Sequence, residues 1–173
     1  CRREAFPHNG VTYMSGALDG IRILDLSNVV SGPMAVQILA DQGADVIKIE
    51  QPGSGDISRH FGESRGGVTS IFAVLNRNKR SVVLDFGKPE AKDIFFELVR
   101  SADVVVQNFR PGAMDRMGVG YPALKAIKED IVYVSISGYG DTGPYANRRA
   151  YDAMVQSATG YAALQALAND GVP

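Results

Sequence analysis

Short apolar runs alternate along this chain with segments of helical period, and that alternation limits its fold more than any other feature. The runs are Ile21-Arg22-Ile23-Leu24-Asp25-Leu26, Asp45-Val46-Ile47-Lys48-Ile49-Glu50, Ser81-Val82-Val83-Leu84-Asp85, Asp103-Val104-Val105-Val106-Gln107-Asn108 and Ile131-Val132-Tyr133-Val134-Ser135-Ile136. Between the first two, Ser31-Gly32-Pro33 leads into a predicted helix over 34–42. Proline is tolerated in a first helical turn, and Gly43 suits the stop. A long glycine-rich loop, 51–67, follows the second run, and a short helix is predicted over 68–75. In 89–101 the spacing of Ile94, Phe95, Leu98 and Val99 marks one helical face. Further helices are predicted over 124–128 and 150–168. Strand–helix–strand repetition implies parallel strands, and the apolar centre of 103–108 suits a strand buried on both faces. The expected fold class is α/β, a Rossmann-like parallel sheet with helices on both faces. Ligands bind such sheets at the carboxyl ends of the strands. Those ends are 27–31, 51–55, 85–88, 108–112 and 137–143.

The 173 residues are 45% hydrophobic and 21% charged, which suits one domain with a real core. A formal net charge of −1 gives no reason to expect nucleic acid or an anionic membrane as partner. No apolar run approaches the roughly 20 residues needed to span a bilayer. Cys1 is the only cysteine, so an internal disulfide and a cysteine-based metal site are excluded. That fits a reducing compartment, and the expected location is cytoplasmic. Residues 1–13 lack the apolar centre of a secretory signal. They read as a non-native leader or upstream extension ahead of Met14. Residues 14–173 read as the amino-terminal part of the sheet domain. Asp170-Gly171-Val172-Pro173 is a turn, so the chain is expected to be a fragment of a longer protein.

Several motifs narrow the chemistry. Gly138-Tyr139-Gly140-Asp141-Thr142-Gly143 matches GxGxxG after a strand, and Glu50 ends the second strand where a ribose-binding acid would lie. An NAD-binding dehydrogenase domain is therefore one alternative. A dinucleotide loop should open directly into a helix, however, and here Pro144 and a polar stretch follow. Walker A is absent, no serine sits in a GxSxG elbow, and no Cys/His/Asp cluster has metal-ligand spacing, so no metal is expected. His8 and His60 are the only histidines. Cations cluster at Arg77, Lys79 and Arg80, at Arg110 and Arg116, and at Arg148 and Arg149. One such cluster is an ordinary solvated turn. Several near strand ends suit a ligand with several phosphates, and coenzyme A carries a pyrophosphate and a 3′-phosphate. Asp56 reads as a turn aspartate capping its own backbone, with a catalytic role as the other option. Asp152 reads as a first-turn helix carboxylate, with an acid role as the other option.

Taken in order, these segments resemble the class III CoA-transferase family, the CaiB/BaiF type that includes formyl-CoA and carnitine CoA-transferases. The carriers are Leu18-Asp19-Gly20-Ile21-Arg22-Ile23-Leu24-Asp25, Ser31-Gly32-Pro33 and Gly43-Ala44-Asp45-Val46-Ile47-Lys48-Ile49-Glu50. They continue with Gly53-Ser54-Gly55-Asp56, Asn76-Arg77-Asn78-Lys79-Arg80-Ser81, Asn108-Phe109-Arg110-Pro111-Gly112 and the 137–144 glycine loop. The resemblance implies transfer of CoA from an acyl-CoA donor to a carboxylic acid acceptor, with CoA as substrate and no permanent cofactor. It implies an interlocked homodimer. It places CoA contacts at Asn28, Val29, Val30 and Ser31, at Leu84, Asp85, Phe86 and Lys88, at Asn108, Phe109, Arg110, Arg116 and Met117, and at Arg149 and Tyr151. The formyl-CoA branch has a histidine and a glutamine where this chain has Asn28 and Val30, and an arginine where it has Gln51; Arg59 or Lys88 is the candidate replacement for that arginine. The family's nucleophile is an aspartate, expected roughly ten residues beyond Pro173 by family spacing, so no catalytic residue is assigned within the chain. The implied route passes through an aspartyl mixed anhydride and an aspartyl-CoA thioester. Racemases of 2-methylacyl-CoA share the fold but use a histidine where this chain has Tyr151, so tyrosine favours the transferase.

Overall fold

The computed structural model of the chain describes residues 16–169 and 171. The leader at 1–13 with Cys1 and His8, Met14, and Asp170, Val172 and Pro173 of the terminal turn lie outside them. The chain forms two compact units, divided between Ile136 and Ser137.

The first unit holds a five-stranded, wholly parallel sheet. Its strands are β1 (Arg22–Asp25), β2 (Asp45–Glu50), β5 (Lys79–Val83), β6 (Val104–Gln107) and β7 (Val132–Ser135). A small antiparallel pair, β3 (Ser64–Arg65) and β4 (Val68–Thr69), lies in the long loop after a 3₁₀ turn at Ile57–His60. The crossovers carry helices α1 (Ser31–Asp41), α2 (Ser70–Asn76), α3 (Pro89–Arg100), α4 (Ala113–Arg116) and α5 (Tyr121–Ile127). The order across the sheet is β5-β2-β1-β6-β7. It reverses direction between β1 and β6, the kind of switch point at which ligands bind open α/β sheets.

Alternation along the strands divides the side chains between two faces. Leu24, Ile47 and Val105 join Phe95 and Val99 of α3, Met114 of α4 and Leu124 of α5 in one core. Ile23, Val46 and Val106 join Val36 and Ala40 of α1 in the other. The interior thus has one apolar layer on each side of the sheet, as expected of a doubly wound fold. Ile94 is a correction: it is 52% exposed, and Ala91 takes its place beside Phe95 and Val99 on the buried face. Those three positions are four apart, the narrower stripe a helix presents to a flat sheet. The predicted helix over 68–75 also differs. Val68 and Thr69 pair as strand, and the Thr69 hydroxyl accepts from Phe72 N–H to cap α2.

The second unit contains α6 (Asp152–Ala158) and α7 (Tyr161–Ala168). The single helix expected over 150–168 is broken because Gly160 takes a left-handed φ of 77°. No described helix is long and apolar enough to cross a membrane.

Candidate functional site

Strand alternation that places Ile23 and Val46 on the α1 side places Asp25, Lys48 and Glu50 there too, nearer the carboxyl ends. Parallel registry aligns Lys79 with Val46 and Ser81 with Lys48, so both join them. The result is a buried layer of charge beneath the ligand end of the sheet. Lys79 Nζ donates to Asp25 Oδ2 at 2.8 Å, to the Pro33 carbonyl at 2.9 Å and to Asn76 Oδ1 at 3.1 Å. Lys48 Nζ donates to the Ser27 carbonyl at 2.8 Å and lies 2.8 Å from Asp56 Oδ2 and 3.9 Å from Asp25 Oδ2. No donor is aligned with that Asp56 oxygen, so the Lys48 contact is ionic rather than directional. Asp25 also accepts from the Ser27 N–H and hydroxyl. Asp25, Asp56 and Lys48 are essentially out of solvent, a situation stable only when charges are paired.

A second pair extends the layer. Arg59 Nε and Nη2 each donate to Glu50 at 2.7 Å, a bidentate fork, and the guanidinium lies 3.7 Å from the Phe72 ring centroid. Ser81 Oγ and the Asp56 N–H also donate to Glu50. Burial alone would raise the Glu50 carboxyl, but the hydrogen bonds from Arg59, Ser81 and Asp56 and the Arg59 charge outweigh it and hold the group at about 2. Burial likewise opposes Asp56 ionisation, and Lys48 and Ser58 more than compensate, so its carboxyl lies below the usual range. Burial pushes the Lys79 ammonium down, and Asp25 opposes it.

Next to this layer the loops after β1 and β6 meet at the reversal point. The Asn28 N–H donates to Asn108 Oδ1 at 2.8 Å, and Asn108 Nδ2 donates back to the Asn28 carbonyl at 2.7 Å. One side chain therefore ties the two loops together. Val29 follows with a φ of 71°, left-handed for a β-branched residue, a strain of about 1–3 kcal/mol. Its N–H donates to Asp56 Oδ1 at 3.1 Å. Val30 precedes α1 without a side-chain cap for the first N–H groups of the helix. Gly32 permits this close approach: a Cβ there would stand 2.3 Å from Ser27 Cβ.

Asn28, Val29, Val30 and Ser31 are thus brought against Asn108 by direct bonds. Phe109, Arg110, Arg116 and Met117 continue from β6 through α4. Arg110 and Arg116 are exposed with no ion-pair partner among the described residues, which leaves both cations available to an anion. Leu84, Asp85, Phe86 and Lys88 follow β5, at the sheet edge and separated from β1 by β2. Leu84 is buried in the core and has only its backbone to offer, while Phe86 packs edge-on to Phe95 at 5.2 Å. Asp85 closes a turn by accepting from Gly87 N–H, and Lys88 is exposed. Arg149 and Tyr151 belong to the second unit and are exposed there; Tyr151 immediately precedes α6.

The structure sorts the other sequence candidates. The cluster of Arg77, Lys79 and Arg80 is structural: Arg77 pairs with Asp41, Arg80 with Asp45, and Lys79 is buried on Asp25. Cations already bound to carboxylates are poor phosphate ligands. Arg59 is equally committed to Glu50, whereas Lys88 is exposed. Asp56 does cap the turn at Ile57–His60 by accepting from Ser58 N–H, but it also carries the Lys48 ion pair and the Val29 contact. The glycine loop at 138–143 opens into no helix before Asp152, so it lacks the helix end a dinucleotide loop requires. Sequence reasoning missed the buried layer. Its signal was present as polar residues at alternate strand positions, Val46-Lys48-Glu50 beside Ile23-Asp25.

The fold is that of a doubly wound α/β protein with its switch point between β1 and β6. The chain belongs to CoA-transferase family III, whose profile matches residues 18–173. It is similar to an acyl-CoA transferase from Fusarium pseudograminearum (strain CS3096), 47% identical over 154 residues, covering 84% of this chain and 34% of that protein. It is similar also to a formyl-CoA:oxalate CoA-transferase from Bradyrhizobium sp. (strain ORS 278), 45% identical over 161 residues, covering 92% of this chain and 37% of that protein. Among solved structures, a CAIB/BAIF family protein from Brucella suis superposes with a TM-score of 0.81 at 41% identity, covering 86% of this chain and 40% of that one. The chain spans about a third of the length of the curated relatives it matches.

Proposed function

We propose that this chain supplies the CoA-binding region of an enzyme that moves CoA from an acyl-CoA donor to a carboxylic acid acceptor. The observation that carries this reading is the pair of exposed arginines, Arg110 and Arg116, which follow β6 at the switch point and have no ion-pair partner among the described residues, in a chain of this family. In this reading residues 28–31 and 108–110 line the coenzyme, and Arg110, Arg116 and Lys88 meet its phosphates. Arg149 and Tyr151, in the second unit, are separate candidates for contact with the coenzyme. CoA enters as substrate, and no permanent cofactor is needed.

The chemistry in this reading is covalent. An aspartate carried by sequence following Pro173 in the longer protein attacks the acyl-CoA carbonyl, and the thioester C–S bond breaks. A mixed anhydride and CoA thiolate result. The thiolate returns to the aspartyl carbonyl, releases the donor carboxylate, and leaves an aspartyl-CoA thioester. The acceptor carboxylate attacks that thioester and releases the thiolate. The resulting second mixed anhydride is opened by the thiolate at the acceptor carbonyl, which frees the aspartate and yields the new acyl-CoA. Tyr151, in place of a racemase histidine, favours this route over α-proton exchange. The reading includes an interlocked homodimer of the longer protein, a cytoplasmic location, and no activity for residues 1–173 alone.

Calorimetric titration of the longer protein tests it. CoA is expected to bind and NAD not to, and Arg110→Ala with Arg116→Ala is expected to weaken CoA by roughly tenfold or more, as loss of charge-assisted phosphate contacts does. Absence of CoA binding to the unaltered protein sinks the proposal. Turnover by residues 1–173 alone sinks the placement of the nucleophile.

A further inference from the structure

The buried charge layer takes no part in the chemistry proposed above, yet it grips the loop after β1 at two backbone points. Lys48 donates to the Ser27 carbonyl at 2.8 Å, and Asp56 accepts from the Val29 N–H at 3.1 Å. The two side chains meet each other 2.8 Å apart and are both out of solvent. Between those points, Asn28 has both its backbone groups taken by Asn108. Every residue from Ser27 to Val29 is therefore held from below or from the side, just before α1 begins. Val29 is the residue that needs holding, since a free valine avoids a φ of 71°.

We propose that Lys48 and Asp56 are positioning residues for coenzyme binding: as an ion pair beneath the β1 loop they keep Val29 left-handed, and so fix the backbone of residues 29–31 in its CoA-binding form. This rests on the reading of residues 28–31 as CoA contacts. Neither side chain touches the coenzyme. Both act through the loop. Strained backbone held by surrounding structure is a recurrent means of preorganising ligand loops. The short turn from Asp56 to Arg59 adds stiffness. Arg59 locks the same turn to Glu50, whose carboxylate accepts from the Asp56 N–H.

The test is a double-mutant cycle on CoA affinity in the longer protein, combining Asp56→Ala with Val29→Gly. Glycine adopts the left-handed conformation without strain, so it removes the need for the clamp. In the Val29 background, Asp56→Ala is expected to weaken CoA roughly tenfold; in the Val29→Gly background the loss is expected to fall below about threefold. Melting temperature is recorded for every variant. A purely structural role would lower it alike in both backgrounds and leave the affinity of the folded protein additive. Equal losses in the two backgrounds, or none in either, overturn the proposal. Should Asp56→Ala not fold, the paired change Lys48→Met with Asp56→Leu, which strands no charge, takes its place in the cycle with the same expectations. Failure of the unaltered protein to bind CoA sinks the coenzyme reading and this proposal together, whereas tight binding with additive losses sinks only the clamp.

Discussion

The sheet unit up to Ile136 and the unit from Ser137 are both apolar in sequence, but they use that character differently. In the first, alternate strand residues meet α1 on one face and α3 to α5 on the other, and Phe95, Val99, Leu24 and Val105 are fully enclosed. In the second, neither α6 nor α7 has a buried residue, and Leu167 is 84% exposed. A helix reading Tyr-Ala-Ala-Leu-Gln-Ala-Leu-Ala has a face to bury, and its neighbour α6 leaves that face largely exposed. An intermediate case lies inside the first unit. Val132 and Val134 of β7 point to the α1 side of the sheet but are exposed, since α1 covers the central strands and not this edge. The lesson is that hydrophobic sequence marks what is to be covered, while the covering element decides whether stability results.

Four expected outcomes break or sharpen that contrast. The largest concerns the charged floor of the first unit. Lys48→Met leaves Asp25 and Asp56 buried without their shared cation, and a loss of about 3–5 kcal/mol in urea unfolding of this chain is expected. A loss below about 1 kcal/mol would show that the layer is wetter than its burial implies.

Acid titration comes next. Glu50 is held at about 2 when folded, below its ordinary value of 4.5. The unfolded chain therefore binds the proton first, and stability from this carboxylate is present above pH 4.5 and disappears as pH falls toward 2. It amounts to about 2 kcal/mol once discounted for the partial exposure of Arg59. Asp56 adds loss in the same direction, because its carboxyl is also lowered. Glu50→Gln is expected to flatten the fall in thermal melting temperature between pH 5 and pH 2.5, and an unchanged slope would contradict the assignment.

Asn108→Ala removes both bonds that join the loops after β1 and β6. A loss of about 1–2 kcal/mol is expected, because half-buried backbone groups of Asn28 lose their partner. Asn108→Asp keeps the acceptor and discards the donor, so it should fall between Ala and the native residue in the same unfolding experiment. The smallest effect belongs to the second unit. Leu167→Ser in this chain is expected to change unfolding free energy by less than about 0.5 kcal/mol, since an exposed side chain has little burial to lose. The same change in the longer protein becomes costly if that face is covered there, and comparison of the two measures the covering directly.

Much of the fold was legible in local sequence. Parallel α/β layering followed from the alternation of apolar runs with helix-period segments, and the strand at Asp45–Glu50 falls where its pattern predicts. These features are set by nearest-neighbour physics: β-branched runs extend, and periodic apolar residues coil toward a core. Candidate loops followed from strand ends alone. Family membership was likewise carried by motifs in linear order.

Tertiary structure alone decided which cations are available. Arg77, Arg80 and Arg59 look like Arg110 and Arg116 in sequence, yet the first three are paired to Asp41, Asp45 and Glu50 and the last two are not. Pairing depends on which carboxylate stands across a strand or helix, and residues separated by 35 positions, such as Arg80 and Asp45, share no local signal. The strand order, the reversal between β1 and β6, and the union of Asp25, Lys48, Asp56 and Lys79 under one loop have the same origin. Sequence fixes which face of a strand each side chain takes, but only the registry of neighbouring strands brings opposite charges within 3 Å of each other.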